Sequence, residues 1–281
     1  MIFWIASYPK SGNTWMRSFL SAYYLTDNGE FDIKKLDAIQ AYPQQAFFGN
    51  EVIPQGEIYK YWESSQKKFI ERKKIKFLKT HNALVSVHGV DFTTPKFVLG
   101  VIYIIRDPRN LITSLKNHYQ MEKYEEAFEF MKNEKVIEFR KINNSYGNYS
   151  FLTSWRSHYK LWNNTKGYRI LTIRYEDMLQ DPEKTFRDIV VFTNAVCHFN
   201  NRVDEKKITR SIETTSFENL RKFEEEGTFK ENIFIENKKI TPKFFYLGKK
   251  NNWEKLLDES LKNKMNEYYK DDLMKFNYEK N

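Results

Sequence analysis

Cysteine is nearly missing from this chain: Cys197 is the only one in 281 residues. No intrachain disulfide can form, and a reducing compartment suits such a protein. Cys197 sits beside a polar segment without a second ligand cluster, and it reads as structural. Long apolar runs are also lacking. No stretch approaches the ~18 residues of a membrane span, and the first expected strand begins at Ile2, which leaves no room for a signal peptide. Together these absences predict a cytoplasmic protein. Glycine and proline are sparse, at 10 and 7 residues. Neither a Gly/Ser linker nor an internal repeat divides the chain, so one domain over residues 1–281 is expected. The five histidines form no cluster with aspartate or cysteine at ligand spacing, so no metal is expected.

Aromatic side chains and positive charge are what the chain has in quantity. Hydrophobic residues at 41% and aromatics at 17% argue for a globular protein and against disorder. A net charge of +9 suggests an anionic partner. Nucleotides, sulfated or phosphorylated ligands, nucleic acid and membrane surfaces all meet that requirement. Many of the lysines fall between Lys222 and Lys264, where solvation alone accounts for them. Nucleic-acid binding calls for basic residues interleaved with exposed aromatics. Here the aromatics mostly take inward helical positions, so no nucleic acid is expected.

The chain alternates short apolar runs with helical patterns. Ile2–Ser7 reads as a buried strand that ends in a turn at Pro9 and Gly12. Beyond Thr14 the residues Trp15, Phe19, Leu20 and Tyr23 share one helical face. Further strands are expected over Lys74–Thr80, Phe97–Ile105 and Arg169–Arg174, and the second of these is apolar throughout. Asp107-Pro108 and Asp181-Pro182 each place a cap and an N1 proline at a helix start, the first helix running to about Tyr119. An aromatic helix is expected over Phe151–Trp162 and a helical tail over Trp253–Phe276. The segments Asp27–Arg72 and Glu122–Ser150 read as a lid and pocket over the site. The fold class that follows is α/β: a central parallel sheet flanked by helices, with a P-loop-like nucleotide-binding core.

Three of the strands deliver unusual polar groups at their carboxyl ends, where ligands bind in an open α/β sheet. The first delivers Lys10 to Thr14, the second Lys79-Thr80-His81 and the third Arg106. The first loop, Ser7 to Trp15, resembles a phosphate-binding loop with its lysine displaced: Asn13 follows Gly12 where a nucleotide loop carries lysine. A small-molecule kinase of the P-loop type is the competing reading. Asp107 supplies a carboxylate for magnesium, but nothing supplies the lysine beside Gly12.

These segments resemble sulfotransferases that use 3′-phosphoadenosine 5′-phosphosulfate (PAPS). The family's first signature, Y-P-K-S-G-T-T-W, stands as Tyr8 to Trp15 with Asn13 as its single change, and the K-T-H signature is Lys79-Thr80-His81. Arg106 and Ser114 match the arginine and serine that hold the donor's 3′-phosphate. "RYEDM" from Arg174 and "TSFENL" from Thr215 match segments bordering the adenine.

The resemblance implies that Lys10 acts on the bridging oxygen of the donor without magnesium. It also implies that the amides of Ser11, Gly12, Asn13 and Thr14, with the Thr14 hydroxyl, cradle the 5′-phosphate. Trp15, Tyr175, Thr215, Ser216 and Phe217 would surround the adenine, and Lys79 would hold the sulfonate oxygens. His81 would be the general base for in-line transfer to a hydroxyl, leaving adenosine 3′,5′-bisphosphate (PAP). The acceptor class is a small molecule or a glycan: a carbohydrate, an aromatic alcohol or a lipid head group. His158 matches a segment bordering the acceptor pocket, while His88, His118 and His198 read as structural or surface residues.

One family signature is altered. An arginine-lysine-glycine triplet normally precedes a tryptophan and grips the 3′-phosphate. In "FYLGKKNNW", Tyr246 and Leu247 take the first two places before Gly248. Lys249 and Lys250 are the expected replacements. The family's dimerisation segment is not present, which leaves the oligomeric state open.

Overall fold

The computed structural model describes residues 1–71, 74–232 and 239–279. The first strand, β1 (Ile2–Ser7), is buried along its whole length, and helix α1 (Asn13–Leu25) follows its loop. Next come the short β2 (Gln40–Ala41), α2 (Trp62–Glu71) and β3 (Lys76–Thr80). A minor antiparallel pair, β4 (Ser86–Val87) and β5 (Val90–Asp91), precedes β6 (Val98–Ile105). Then follow α3 (Pro108–Tyr119), α4 (Tyr124–Lys132), an antiparallel hairpin of β7 (Ile137–Ile142) and β8 (Ser145–Phe151), α5 (Trp155–Asn163) and β9 (Ile170–Arg174). The longer elements that follow among the described residues are helices: α6 (Tyr175–Gln180), α7 (Pro182–Cys197), α8 (Glu205–Thr214), α9 (Phe217–Glu225), α10 (Trp253–Leu256), α11 (Glu259–Tyr268) and α12 (Lys270–Lys275).

The main sheet is five-stranded in the order β2-β3-β1-β6-β9, with every pairing parallel. Alternate residues of β1 feed opposite faces. Ile2, Trp4 and Ala6 join a core with Trp62, Trp155 and Trp162, whereas Phe3 and Ile5 join Phe19, Phe186 and Ile189. Both faces are therefore covered, which is why β1 and β6 read as unbroken apolar runs. From β1 the chain moves to β3 on one side and later to β6 on the other. The reversal leaves a crevice at the carboxyl ends, where such sheets bind ligands. Register sharpens this: Ala6 pairs with Thr80 and Ser7 with Ile104, so the three strands end side by side.

Several local expectations need correction. The aromatic helix starts at Trp155, not Phe151, because Phe151 pairs with Ile137 in the hairpin and Ser154 caps the helix through Ser157 N. Pro95–Phe97 forms a 3-10 turn ahead of β6. The tail divides into three helices, with Asp258 capping the second. Much of the segment expected as a lid over Asp27–Arg72 packs instead on the sheet: Trp62 and Tyr42 are buried against Trp4 and Phe92, while Phe31 and Leu36 pack with Ala22, Leu220 and Phe245, and Arg72 lies outside the described residues. Hydrophobic burial of its aromatics outweighs exposure over a site. Among the described residues, no helix is long and apolar enough to cross a membrane.

Candidate functional site

The loop after β1 is shaped by backbone conformations that few residues adopt. Gly12 has φ +101°, and a Cβ there would meet the Tyr175 ring at 2.5 Å, so only glycine fits. Gly12 opens α1 without any side-chain cap. The first-turn amides are thus left for a ligand, and the helix N-terminus favours an anion. The Asn13 side chain closes the loop from beneath, donating to Ile5 O at 3.0 Å and to Ser7 Oγ at 3.1 Å.

A crevice of about 500 Å³ opens over these strand ends. Lys10, Gly12, Asn13, Thr14 and Trp15 line it from the loop, and Lys79 and His81 from the end of β3. Arg106 and Ser114 reach it from β6 and α3, Tyr175 from α6, and Ser216, Phe217, Gly248 and Lys249 from the far wall. Four expected residues stand outside it. Ser11 is fully buried, and Thr215 is buried with its hydroxyl donating to Ser211 O at 2.6 Å. Lys250 is exposed beyond the lining. His158 is fully buried in the core below.

His158 corrects the expectation of an acceptor contact. Its Nε2 lies 3.0 Å from the His81 carbonyl, which can only accept, so Nε2 carries the proton. Nδ1 then accepts from Tyr103 Oη at 2.7 Å. Burial holds this ring's pKa down to about 4, so it stays neutral. Both nitrogens are occupied, and Nε2 holds the backbone that carries His81.

The same logic sets the tautomer of His81. Nδ1 donates to Ser7 O at 2.7 Å, leaving Nε2 with a lone pair that no described residue takes up. Burial, then the charge of Lys79, pushes its pKa well below the usual histidine value. A neutral imidazole with one nitrogen fixed and the other free is competent to take a proton. Lys10 Nζ stands 3.6 Å from the centre of the Phe244 ring. Burial, helped by Lys79 and Arg106, lowers its pKa to about 7.

Arg106 is held by its own surroundings. Nη1 donates to Lys10 O at 2.9 Å and to Ser114 Oγ at 3.3 Å, and the guanidinium stacks 4.3 Å over Tyr175. Its Nε is buried without a partner among the described residues. A cationic group with an unmet donor, beside a glycine cradle, fits a phosphate. Asp107, the candidate magnesium carboxylate, is already spent on Arg109: it accepts from Nε at 3.0 Å and from Nη2 at 2.8 Å.

A sequence profile of the sulfotransferase domain matches residues 2–277. The chain belongs to the sulfotransferase family. Sulfotransferase 1 family member D1 of Mus musculus is 29% identical over 196 residues, covering 67% of this chain and 57% of the relative. That match spans little more than half of the relative's length. Mouse sulfotransferase 1E1 is 24% identical over 276 residues, covering 95% of this chain and 81% of its own. Among solved structures, mouse sulfotransferase SULT7A1 complexed with PAP superposes with a TM-score of 0.59 at 17% identity, over 97% of this chain and 84% of that one. Retinol dehydratase in complex with androsterone and PAP gives 0.58 at 18% identity, over 97% and 80%. At these identities the structures establish the fold.

Sequence reading missed several groups that the fold brings to this crevice. His118 lines it, its pKa lowered to about 3 by burial and by Lys10 and Lys79. Glu138 reaches it from β7 and accepts from Tyr119 Oη at 3.0 Å; burial raises its pKa. Glu231 lines it too, bound to Thr14 and to the buried Arg17. The hairpin pairing that presents Glu138 and the 214-residue separation of Arg17 from Glu231 leave no local signal.

Proposed function

We propose that this protein transfers a sulfuryl group from PAPS to a hydroxyl acceptor, and that residues 1–281 act as one catalytic domain. One observation carries the reading: the Lys10 loop, Lys79 with His81, and Arg106 with Ser114 meet in one crevice at the carboxyl ends of adjacent parallel strands. PAPS, when bound, supplies the sulfuryl group and a phosphate leaving group. The protein's part is electrostatic and proton-handling. Lys10 neutralises charge that develops on the leaving oxygen, Lys79 supports the sulfonate oxygens, and the α1 amides with Thr14 hold the 5′-phosphate. Arg106 and Ser114 hold the 3′-phosphate. Trp15, Tyr175 and Phe217 offer rings to the adenine, and His81 Nε2 accepts the proton of the acceptor hydroxyl. The acceptor is a small hydroxylated molecule, and a glycan is included in that class. The buried free Cys197 supports a reducing, cytoplasmic setting.

Thermal stabilisation by PAP, by ATP with magnesium and by an oligonucleotide tests the class. PAP is expected to stabilise most, by about 2.7 kcal/mol at a hundred times its Kd. A larger shift with ATP and magnesium would assign the crevice to a kinase. Turnover with labelled PAPS across a panel of hydroxylated acceptors then identifies the acceptor.

The altered signature makes a second prediction. Gly248 has φ +54°, and a Cβ there would meet the Phe217 ring at 2.6 Å, so the glycine holds α9 and the lysine turn together. Of the two lysines, Lys249 alone lines the crevice. Lys249→Ala is expected to weaken PAP about tenfold, the loss of one charge-assisted contact, and adenosine 5′-phosphate hardly at all. Lys250→Ala should change both by less than about twofold, as for a solvated charge. Equal losses for PAP and adenosine 5′-phosphate in Lys249→Ala would remove it from the 3′-phosphate.

A further inference from the structure

Arg17 is a buried cation on the inward side of α1, 2% exposed, one turn beyond Thr14. Most of its donors go to backbone: Nε donates to Ile39 O at 2.9 Å, and Nη2 to Ile39 O at 2.6 Å and Leu36 O at 3.3 Å. These carbonyls fix the guanidinium in place but leave its charge unmatched. The matching charge comes from Glu231, in the segment after α9. Glu231 Oε1 accepts from Arg17 Nη1, and Oε2 accepts from Thr14 Oγ1 at 3.0 Å. Burial alone would raise the Glu231 pKa, but the charges of Arg17 and Lys79 and the two hydrogen bonds bring it down to about 2. The carboxylate is therefore a fixed anion at any working pH.

The partners of this anion are a threonine hydroxyl at an uncapped helix start, a guanidinium and a nearby lysine. That set suits one oxyanion group of a nucleotide. Thr14 is also the residue assigned to the donor's 5′-phosphate above. A phosphate at Thr14 and a carboxylate hydrogen-bonded to the same hydroxyl would be like charges within contact distance, which repel strongly in a buried site. Both cannot stay. If the phosphate takes Thr14, Glu231 leaves, and Arg17 Nη1 turns from the carboxylate to the incoming anion, because a buried guanidinium left unpaired is costly.

We propose that Arg17 is a further donor-binding residue and that the Glu231 carboxylate occupies its anion seat until the donor's phosphosulfate end exchanges for it. The assignment of the anion to PAPS rests on the reading under Proposed function; the seat itself does not. A plain structural ion pair between Arg17 and Glu231 makes the opposite forecast. In that case Glu231 anchors the wall of the crevice, and losing its charge loosens the wall and weakens any ligand.

Glu231→Gln decides between them, since glutamine keeps the size and one acceptor oxygen for Arg17, and its amide can donate to Thr14 Oγ1, while the competing charge is removed. Titration calorimetry with PAP and separately with inorganic sulfate is the measurement. Exchange predicts that both bind about tenfold tighter to Glu231→Gln than to the natural protein, the scale of one charge-assisted contact no longer displaced. Unchanged or weaker PAP binding, with PAP still bound by the natural protein, overturns the exchange and leaves the donor reading standing. Tighter sulfate with no PAP binding by either protein keeps the seat and removes PAPS as its ligand. Hydrogen exchange on the unsubstituted protein gives a check free of folding effects. PAP should slow exchange at residues 14–17 and speed it at residues 229–232, whereas slowing at both segments overturns the proposal.

Discussion

Replacing His81 with alanine is expected to lower sulfuryl transfer by about 10² to 10⁴, the usual worth of a positioned general base. PAP affinity should stay within about twofold of the natural protein, because His81 would meet the acceptor and not the nucleotide. The case rests on geometry. Ser7 O takes the Nδ1 proton at 2.7 Å, so the lone pair on Nε2 is the one left for chemistry. His158 holds the His81 carbonyl from below at 3.0 Å, which fixes where that lone pair sits. Burial and Lys79 keep the ring neutral, its pKa well below the ordinary 6.5. The sign follows directly. Protonation of His81 removes the base, so with the donor saturating, kcat/KM for the acceptor should hold steady as pH falls to 6.5 and decline only well below it. A variant retaining more than about a tenth of the rate would move the base elsewhere, and Glu138 in the same crevice would be the first alternative to replace.

Lys10→Met is expected to lower turnover by about 10² to 10³, comparable to removing one preorganised donor from a developing oxyanion. Methionine keeps the length and the apolar contact with Phe244 while deleting the charge. The lysine's pKa of about 7 adds a signature independent of turnover. Burial, Lys79 and Arg106 lower it, with Glu231 and Glu224 opposing, so in the free protein Lys10 is largely neutral at pH 8. An anionic ligand brings the charge back. PAP binding at pH 8 should therefore take up close to one proton, read as a dependence of the calorimetric enthalpy on buffer ionisation. The apparent affinity should fall as pH rises through 7. In Lys10→Met the uptake should vanish. Unaltered turnover in Lys10→Met, or PAP binding without proton uptake in the natural protein, would take Lys10 out of the donor site.

Much of this site was legible in the sequence because its main parts sit at element boundaries that local chemistry marks. Ile2–Ser7 is apolar because both sheet faces are covered, and Gly12 and Pro108 mark the following helix starts. Lys10, Lys79, His81 and Arg106 could therefore be assigned to strand ends, and parallel pairing brings strand ends together whatever the intervening loops do. Residues whose places depend on distant partners escaped. His158 reads as a crevice residue in sequence yet lies under it, because α5 packs inward and Tyr103 and the His81 carbonyl claim both ring nitrogens. Thr215 turns inward to Ser211 while its neighbours Ser216 and Phe217 face the crevice. Only tertiary structure brings Glu231 onto Arg17 and Thr14, since nothing local relates residues so far apart in sequence. Periodicity and capping are short-range and printed in the chain; which carboxylate meets a buried cation depends on the packing of the whole, and that the fold alone decided.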